Sequence, residues 1–237
     1  MAEFSSSAQS AISLYALSGM ATDHRAFEVF KRHFSNPYIY IPWVEPERKE
    51  SLYDYAQRMV MPHVQNSAPV RVAIGLSFGG VVALYGLDQG LFTHVILVSS
   101  IKGSDEFSPF FRFLRIVPIY RLLPHSWLKS ILVGSGLIPA GLRHEHKQVF
   151  RQMFDQFSPF YFKWCVDQLV HIPKSKERKN VYHIHGTHDE VFGYRYICSA
   201  EAVPGGSHLM IVTRAKEISR MVEQILQRIK QTNTIQV

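Results

Sequence analysis

The chain has 237 residues, 46% of them hydrophobic and 19% charged, which suits one globular domain and excludes a disordered chain. Its two cysteines, Cys165 and Cys198, are too few for a disulfide scaffold and predict reduced thiols in a cytoplasmic protein. The net charge of +7 is spread along the chain without a nucleic-acid-binding motif, so no nucleic-acid partner is expected.

No lysine or arginine precedes the apolar stretch Ala11–Ala21, and the polar lead Met1–Ser10 carries Glu3, so neither a secretory signal nor a membrane span is predicted. The run Ile12–Leu17 predicts a first strand and Asp23–Phe34 a helix. Tyr38–Ile41 reads as a strand leading into Pro42-Trp43, where Trp43 is expected to wedge its loop against the sheet rather than to rim a pocket. Ser51 suits the N-cap of a helix over Ser51–Gln65, with Leu52, Tyr55, Ala56, Met59 and Val60 on one face. Val70–Gly75 predicts a strand, Phe78–Gln89 a helix and His94–Val98 another strand.

The alternation breaks between Ser104 and Ile172, a stretch rich in phenylalanine and proline that also holds Trp127, Trp164 and the small-residue turn Gly134-Ser135-Gly136. It predicts several helices inserted as a cap over residues 104–172, within a single domain spanning 1–237. Most of the cap aromatics should be core, with a minority lining an acyl pocket. Eight basic residues against five acidic ones give too small an excess for an anion-recognition site, and a solvated outer face is favoured over membrane contact. Strands Val181–His185 and Glu201–Val203 follow. The final helix, Arg214–Lys230, repeats Ile218, Met221, Val222, Ile225 and Ile229 at three- and four-residue intervals. Strands alternating with helices predict an α/β fold, a mostly parallel sheet with helices on both faces.

One motif carries chemistry. Gly75-Leu76-Ser77-Phe78-Gly79 is G-x-S-x-G, set between an apolar strand and a helix. A serine on so tight a turn has strained backbone angles, and neighbouring side chains would collide there, so glycines flank it. The turn lifts Oγ above the sheet edge and aims the helix N-terminus at the reacting oxygen. A serine hydroxyl needs a base and an orienting acid. Asp189 lies in the loop after strand Val181–His185, and His208 follows a short strand in Gly205-Gly206-Ser207-His208. The order Ser, Asp, His is the one α/β-hydrolases use.

On these motifs, and on Leu17-Ser18-Gly19-Met20 after the first strand, the chain resembles the α/β-hydrolase family over nearly its whole length, Ala11 to Lys230. The resemblance implies a trimmed, six-stranded version of that fold, with Ser77 as nucleophile, His208 as base and Asp189 as orienting acid, in preference to its neighbour Glu190. It also implies an oxyanion hole from the backbone N–H groups of Met20 and Phe78. Ser18 stands where the family usually carries a histidine, which leaves the Met20 N–H intact. The expected activity is cleavage of a carboxylic ester, or a related acyl bond, of a small and largely apolar molecule, without cofactor or metal. Amide or C–C bond hydrolysis on the same residues, and a non-catalytic ligand-binding protein of the same fold, are the alternatives. The sequence carries no signal of oligomeric state. A zinc reading of His183-Ile184-His185-Gly186-Thr187-His188 is disfavoured, because Thr187 stands where a ligating aspartate should be.

Overall fold

The computed structural model describes residues 12–64, 68–124 and 144–234. The Met1–Ser10 lead, Gln65, Trp127 and the Gly134–Gly136 turn lie outside those residues. Six strands, β1 Ile12–Leu17, β2 Ile39–Tyr40, β3 Val70–Leu76, β4 His94–Val98, β5 Val181–Gly186 and β6 Glu201–Val203, form one sheet in the order β2-β1-β3-β4-β5-β6. All five pairings are parallel. The expected class, a six-stranded parallel α/β sheet, is therefore the one observed.

Parallel strands bury both faces, which is why β3 and β4 read as nearly unbroken apolar runs. Alternate residues serve opposite cores. Tyr15, Leu17, Ala73, Val95 and Leu97 face α2 (Leu52–Val60) and α3 (Phe78–Asp88). Leu14, Ala16, Val72, Ile74, Ile96 and Val98 instead face Phe27, Phe30 and the long C-terminal helix Ala215–Thr234. That helix buries Ile218, Val222, Ile225 and Ile229 completely.

Two helices are shorter than their periodicity predicts. Over Asp23–Phe34 the chain makes a 3-10 turn, His24–Phe27, and then a single α-turn, Glu28–Lys31, here α1. Asp23 Oδ1 accepts the Arg25 N–H (2.9 Å) and draws the first turn tight. The Ser51–Gln65 helix is capped as expected, Ser51 Oγ accepting the Asp54 N–H (3.1 Å), but its α-helical part ends at Val60. Pro62 brings no N–H to the next turn, which becomes 3-10 over Met61–His63.

Between β4 and β5 the described residues include the helices α4 Pro109–Ile116, α5 His144–Asp155 and α6 Pro159–His171. Two of them begin alike: Ser108 and Ser158 precede a proline at the first helical position, where its missing N–H costs nothing. Most of the aromatics here are core, as expected. Phe107, Phe154, Tyr161, Phe162 and Trp164 join the cluster beneath α2 and α3. A short helix, α7 Met210–Thr213, precedes the C-terminal helix α8 Ala215–Thr234 and was not anticipated by the periodicity.

The strand order reverses between β1 and β3: the chain steps from β1 out to β2, then returns past β1 to β3 and proceeds the other way. Connections leave these two strands toward opposite sides, opening a crevice at their C-terminal ends, the usual ligand position in such sheets.

Candidate active site

Ser77 sits at that crevice, between the end of β3 and the first residue of α3, with φ 51° and ψ −123°. This left-handed conformation is unfavourable for a side-chain-bearing residue and persists only where its surroundings hold it. Three bonds hold it here. The Ser77 N–H donates to Val98 O (2.9 Å), and Ser77 O accepts from the Gly80 N–H (2.9 Å) and from Ser100 Oγ (2.7 Å). The Phe78 N–H is at the first helical position and has no intrahelical acceptor.

Across the crevice, the loop after β1 carries Ser18, Gly19 and Met20. Ser18 Oγ donates to Thr22 O (2.8 Å), which commits its one proton. It must then accept from both Tyr40 Oη (2.9 Å) and Trp43 Nε1 (3.0 Å). Burial, more than any other influence, pushes the Tyr40 phenol up to about 12, so it remains a donor at neutral pH. Gly19 O accepts from Trp43 Nε1 (3.1 Å) and from Thr22 Oγ1 (2.8 Å). Trp43 therefore ties this loop down, the wedge role expected of it, and its ring stacks on Phe78 at 5.8 Å. A buried serine thus organises the turn.

His208 reaches Ser77 from the far end of the sheet. Its Nε2 lies 2.9 Å from Ser77 Oγ, and its Nδ1 lies 2.9 and 3.0 Å from the two oxygens of Asp189. A carboxylate can only accept, so Nδ1 carries the proton and Nε2 presents a lone pair to the serine hydroxyl. His208 is 1% exposed, Asp189 5% and Ser77 8%, so the chain of bonds runs in a nearly dry environment. Burial by itself would raise the Asp189 carboxyl. The His208 ring outweighs it, with help from His185 and the Phe192 N–H, and holds the carboxyl below the usual aspartate range. Asp189 Oδ1 also accepts from the N–H groups of Val191 (2.9 Å) and Phe192 (2.8 Å). Glu190, the rival acid, is exposed and accepts from the His208 backbone N–H at 3.5 Å, not from its ring.

The loops bearing Asp189 and His208 are laced together. Thr187 N–H donates to Val203 O (3.0 Å), His188 N–H to Gly206 O (2.9 Å) and Gly205 N–H to Thr187 Oγ1 (2.8 Å). The approach is so close that a Cβ on Gly186 would stand 2.2 Å from Gly206 O, so only glycine fits. A narrow cleft over Ser77 and His208 is walled by Gly19, Met20, Thr22, Leu76, Leu209 and Phe150, the last reaching in from α5.

Of the five residues singled out from the sequence, Ser77, His208 and Asp189 are joined by side-chain hydrogen bonds, Met20 lines the cleft above them, and Phe78 follows Ser77 directly at the start of α3. One neighbour was missed. His185 lies on the same sheet face as His183, and its Nε2 approaches Asp189 Oδ2 at 3.3 Å. Its signal was a histidine inside an apolar strand four residues before the acid. His188 points elsewhere and is exposed. Among the described residues no three His, Cys, Asp or Glu side chains are grouped to hold a metal ion. A hydroxyl hydrogen-bonded to a neutral imidazole, whose other nitrogen is anchored by a carboxylate, can lose its proton as it attacks an electrophilic carbon.

Residues 32–221 match the sequence profile of the Alpha/beta hydrolase family. No curated protein matches the chain. Among solved structures, a thermophilic esterase from Thermogutta terrifontis superposes with a TM-score of 0.65 at 15% identity, covering 93% of this chain and 91% of that one. A hydrolase from Pseudomonas aeruginosa PA01 gives 0.70 at 13% identity, over 92% and 91%. The esterase EaEST from Exiguobacterium antarcticum gives 0.64 at 17% identity, over 92% of each chain. At these identities the likeness speaks for the fold.

Proposed function

The chain belongs to the alpha/beta hydrolase family, and from that premise we propose that it is a serine hydrolase cleaving a carboxylic ester, or a related acyl bond, of a small and largely apolar substrate. The observation that carries the reading is the unbroken run of hydrogen bonds from Ser77 Oγ through His208 to Asp189. In this reading Ser77 attacks the acyl carbon as His208 Nε2 takes its proton. Asp189 holds the ring in the Nδ1–H tautomer and stabilises the imidazolium that forms. The proton then passes to the leaving alcohol, and water, activated by the same ring, releases the acyl group from Ser77. The Met20 and Phe78 N–H groups receive the oxyanion, and losing one such donor would raise the barrier by roughly 3–4 kcal/mol.

The nearly dry surroundings of Ser77 support the same chemistry, since a developing negative charge is better stabilised by fixed donors where water does not compete. Phe150 at the cleft would be the acyl group's first apolar neighbour. An ester is favoured because an alkoxide leaving group demands less of the site than an amine. We read residues 104–172 as an inserted cap of one domain spanning 1–237. The protein would work in the cytoplasm without cofactor or nucleic-acid partner, consistent with the free thiols of Cys165 and Cys198. None of the described helices is long and apolar enough to cross a membrane.

A fluorophosphonate probe, followed by peptide mass spectrometry, tests the assignment. Labelling should fall on Ser77 and vanish in Ser77→Ala. A p-nitrophenyl ester panel of graded acyl length then defines the substrate class. Undiminished turnover by Ser77→Ala would overturn the proposal.

A further inference from the structure

Behind the Ser77–His208–Asp189 chain lies a pair of buried imidazoles. His183 and His185, two residues apart on β5, project from one sheet face and are 4% and 0% exposed. Apolar side chains normally fill such positions, and burying two polar rings is unfavourable unless their nitrogens are bonded. His183 Nε2 and His185 Nδ1 are 3.1 Å apart, and His185 Nε2 is 2.8 Å from Phe192 O.

The carbonyl of Phe192 can only accept, so His185 carries its proton on Nε2 and offers a lone pair at Nδ1, which His183 Nε2–H fills. That fixes the tautomer of His185. Its one proton is committed to Phe192 O, so the 3.3 Å approach of Nε2 to Asp189 Oδ2 is a packing contact and not a second hydrogen bond. We propose that His185 is a positioning residue for Asp189, clamping through its bond to Phe192 O the loop whose Val191 and Phe192 N–H groups hold the carboxylate; this rests on the reading of Ser77 and His208 given above.

Three N–H donors then hold the carboxylate, with the His185 ring packed beside it. Oδ1 takes the Val191 and Phe192 N–H groups, while Oδ2 lies between the rings of His208 and His185. The tie to Phe192 O has a second effect, because the Phe192 ring stands edge-on to His208 at 5.5 Å. One imidazole thereby fixes both the acid that orients the base and the aromatic wall that limits the base's rotation. His185 must stay neutral to do this, and its surroundings favour that. Burial is the largest influence lowering its pKa, and His208 and Lys102 add to it against the raising pull of Asp189. Burial likewise depresses His183, with His185 and Lys102 acting in the same direction. Lys102 is itself paired with the buried Glu106 (3.5 Å), and the Tyr194 ring lies 6.3 Å from His185.

Releasing the clamp on Phe192 would slacken the N–H bonds to Oδ1, leave Asp189 more basic and strengthen its hold on protonated His208. In His185→Leu, the His208 titration followed by NMR should move up by about 0.5–1 pH unit. His185→Gln, whose amide can donate from the same place, should bring it back toward wild type. The acid limb of kcat/KM on a p-nitrophenyl ester should move with it, whereas lost packing alone would lower the rate equally at every pH. Nitrogen-15 shifts of the wild-type protein should show His185 neutral and protonated on Nε2 between pH 6 and 8, a measurement that needs no variant to fold. An unshifted His208 titration in folded His185→Leu, or an Nδ1–H His185 in the wild type, overturns the inference. Both NMR readouts are independent of turnover, so an unreactive Ser77 would sink the proposed function and leave this one standing.

Discussion

Gly79→Ala gives the sharpest test of how the crevice is built. A methyl group there would stand 2.2 Å from Ser18 O and 2.5 Å from Leu17 O. Both are backbone atoms at the end of β1, so no side-chain rotation relieves the clash. A carbon–oxygen contact relaxes near 3.3 Å, so the loop bearing Gly19 and Met20 must retreat from α3 by about 1 Å. Overpacking of this kind costs about 1–3 kcal/mol, and a mid-range ~2 kcal/mol in a chain of this size lowers Tm by about 4–8 °C. The kinetic effect should be larger. A displacement of about 1 Å between attacking oxygen and oxyanion donors costs on the order of 10²-fold in rate. The assay is kcat on p-nitrophenyl acetate beside a thermal melt. Gly193→Ala serves as control, since its added methyl meets only Tyr196 ring carbons, at 3.5 Å or more. If Gly79→Ala kept turnover within threefold of wild type, the Met20 loop would not be the oxyanion wall and the argument from close approach would fail.

Ser77→Ala and His208→Ala should each remove nearly all esterase turnover with a near-normal melt, whereas Asp189→Asn, which permits the wrong tautomer, should lose on the order of 10⁴-fold in kcat. Trp43→Phe deletes the donor to Ser18 Oγ and Gly19 O; turnover should fall about tenfold while stability drops by about 1–2 kcal/mol, and an unchanged kcat would detach Trp43 from the site. Stability should fall as pH drops below about 6.5. The folded-state pKa values of His183 and His185 lie below those of the unfolded chain, so the unfolded state binds more protons in that window, at up to about 1.4 kcal/mol per pH unit for each ring. Thermal melts from pH 8 to 5 check this, and His183→Leu should flatten the slope. Chelators should leave activity untouched; loss on EDTA with recovery on zinc would reopen the metal reading of His183, His185 and His188.

Much of this was legible because local chemistry and global fold agree. The strands were found within a residue or two, since parallel strands must be apolar on both faces and the chain between them is not. Ser77, Asp189 and His208 were legible because each sits where a strand gives way to a tight turn, and the small residues that such turns require are visible in sequence. The helix at Asp23–Phe34 was overestimated because periodicity cannot weigh a side chain such as Asp23 that captures the backbone. The helices between β4 and β5 left a weaker trace. Ser108-Pro109 and Ser158-Pro159 are start signals, but α6 buries residues around most of its circumference while α4 buries only Leu114 and leaves Phe110, Phe113 and Ile116 exposed, so apolarity there does not track burial. His185 was passed over as part of a rejected zinc motif. Only the fold shows that its proton is directed at Phe192 and its edge at the acid.

The helix His144–Asp155 places Phe150 and Met153 in the hydrophobic cluster on one side of the sheet and Phe154 in the cluster on the other. It therefore behaves as a rivet through the rim of the molecule rather than as a detachable visor. Grafting the corresponding segment from another hydrolase, a common route to altered selectivity, would disturb two half-cores at once. Successful chimeras should need compensating residues on both sides, beginning with those that meet Phe150 and Phe154.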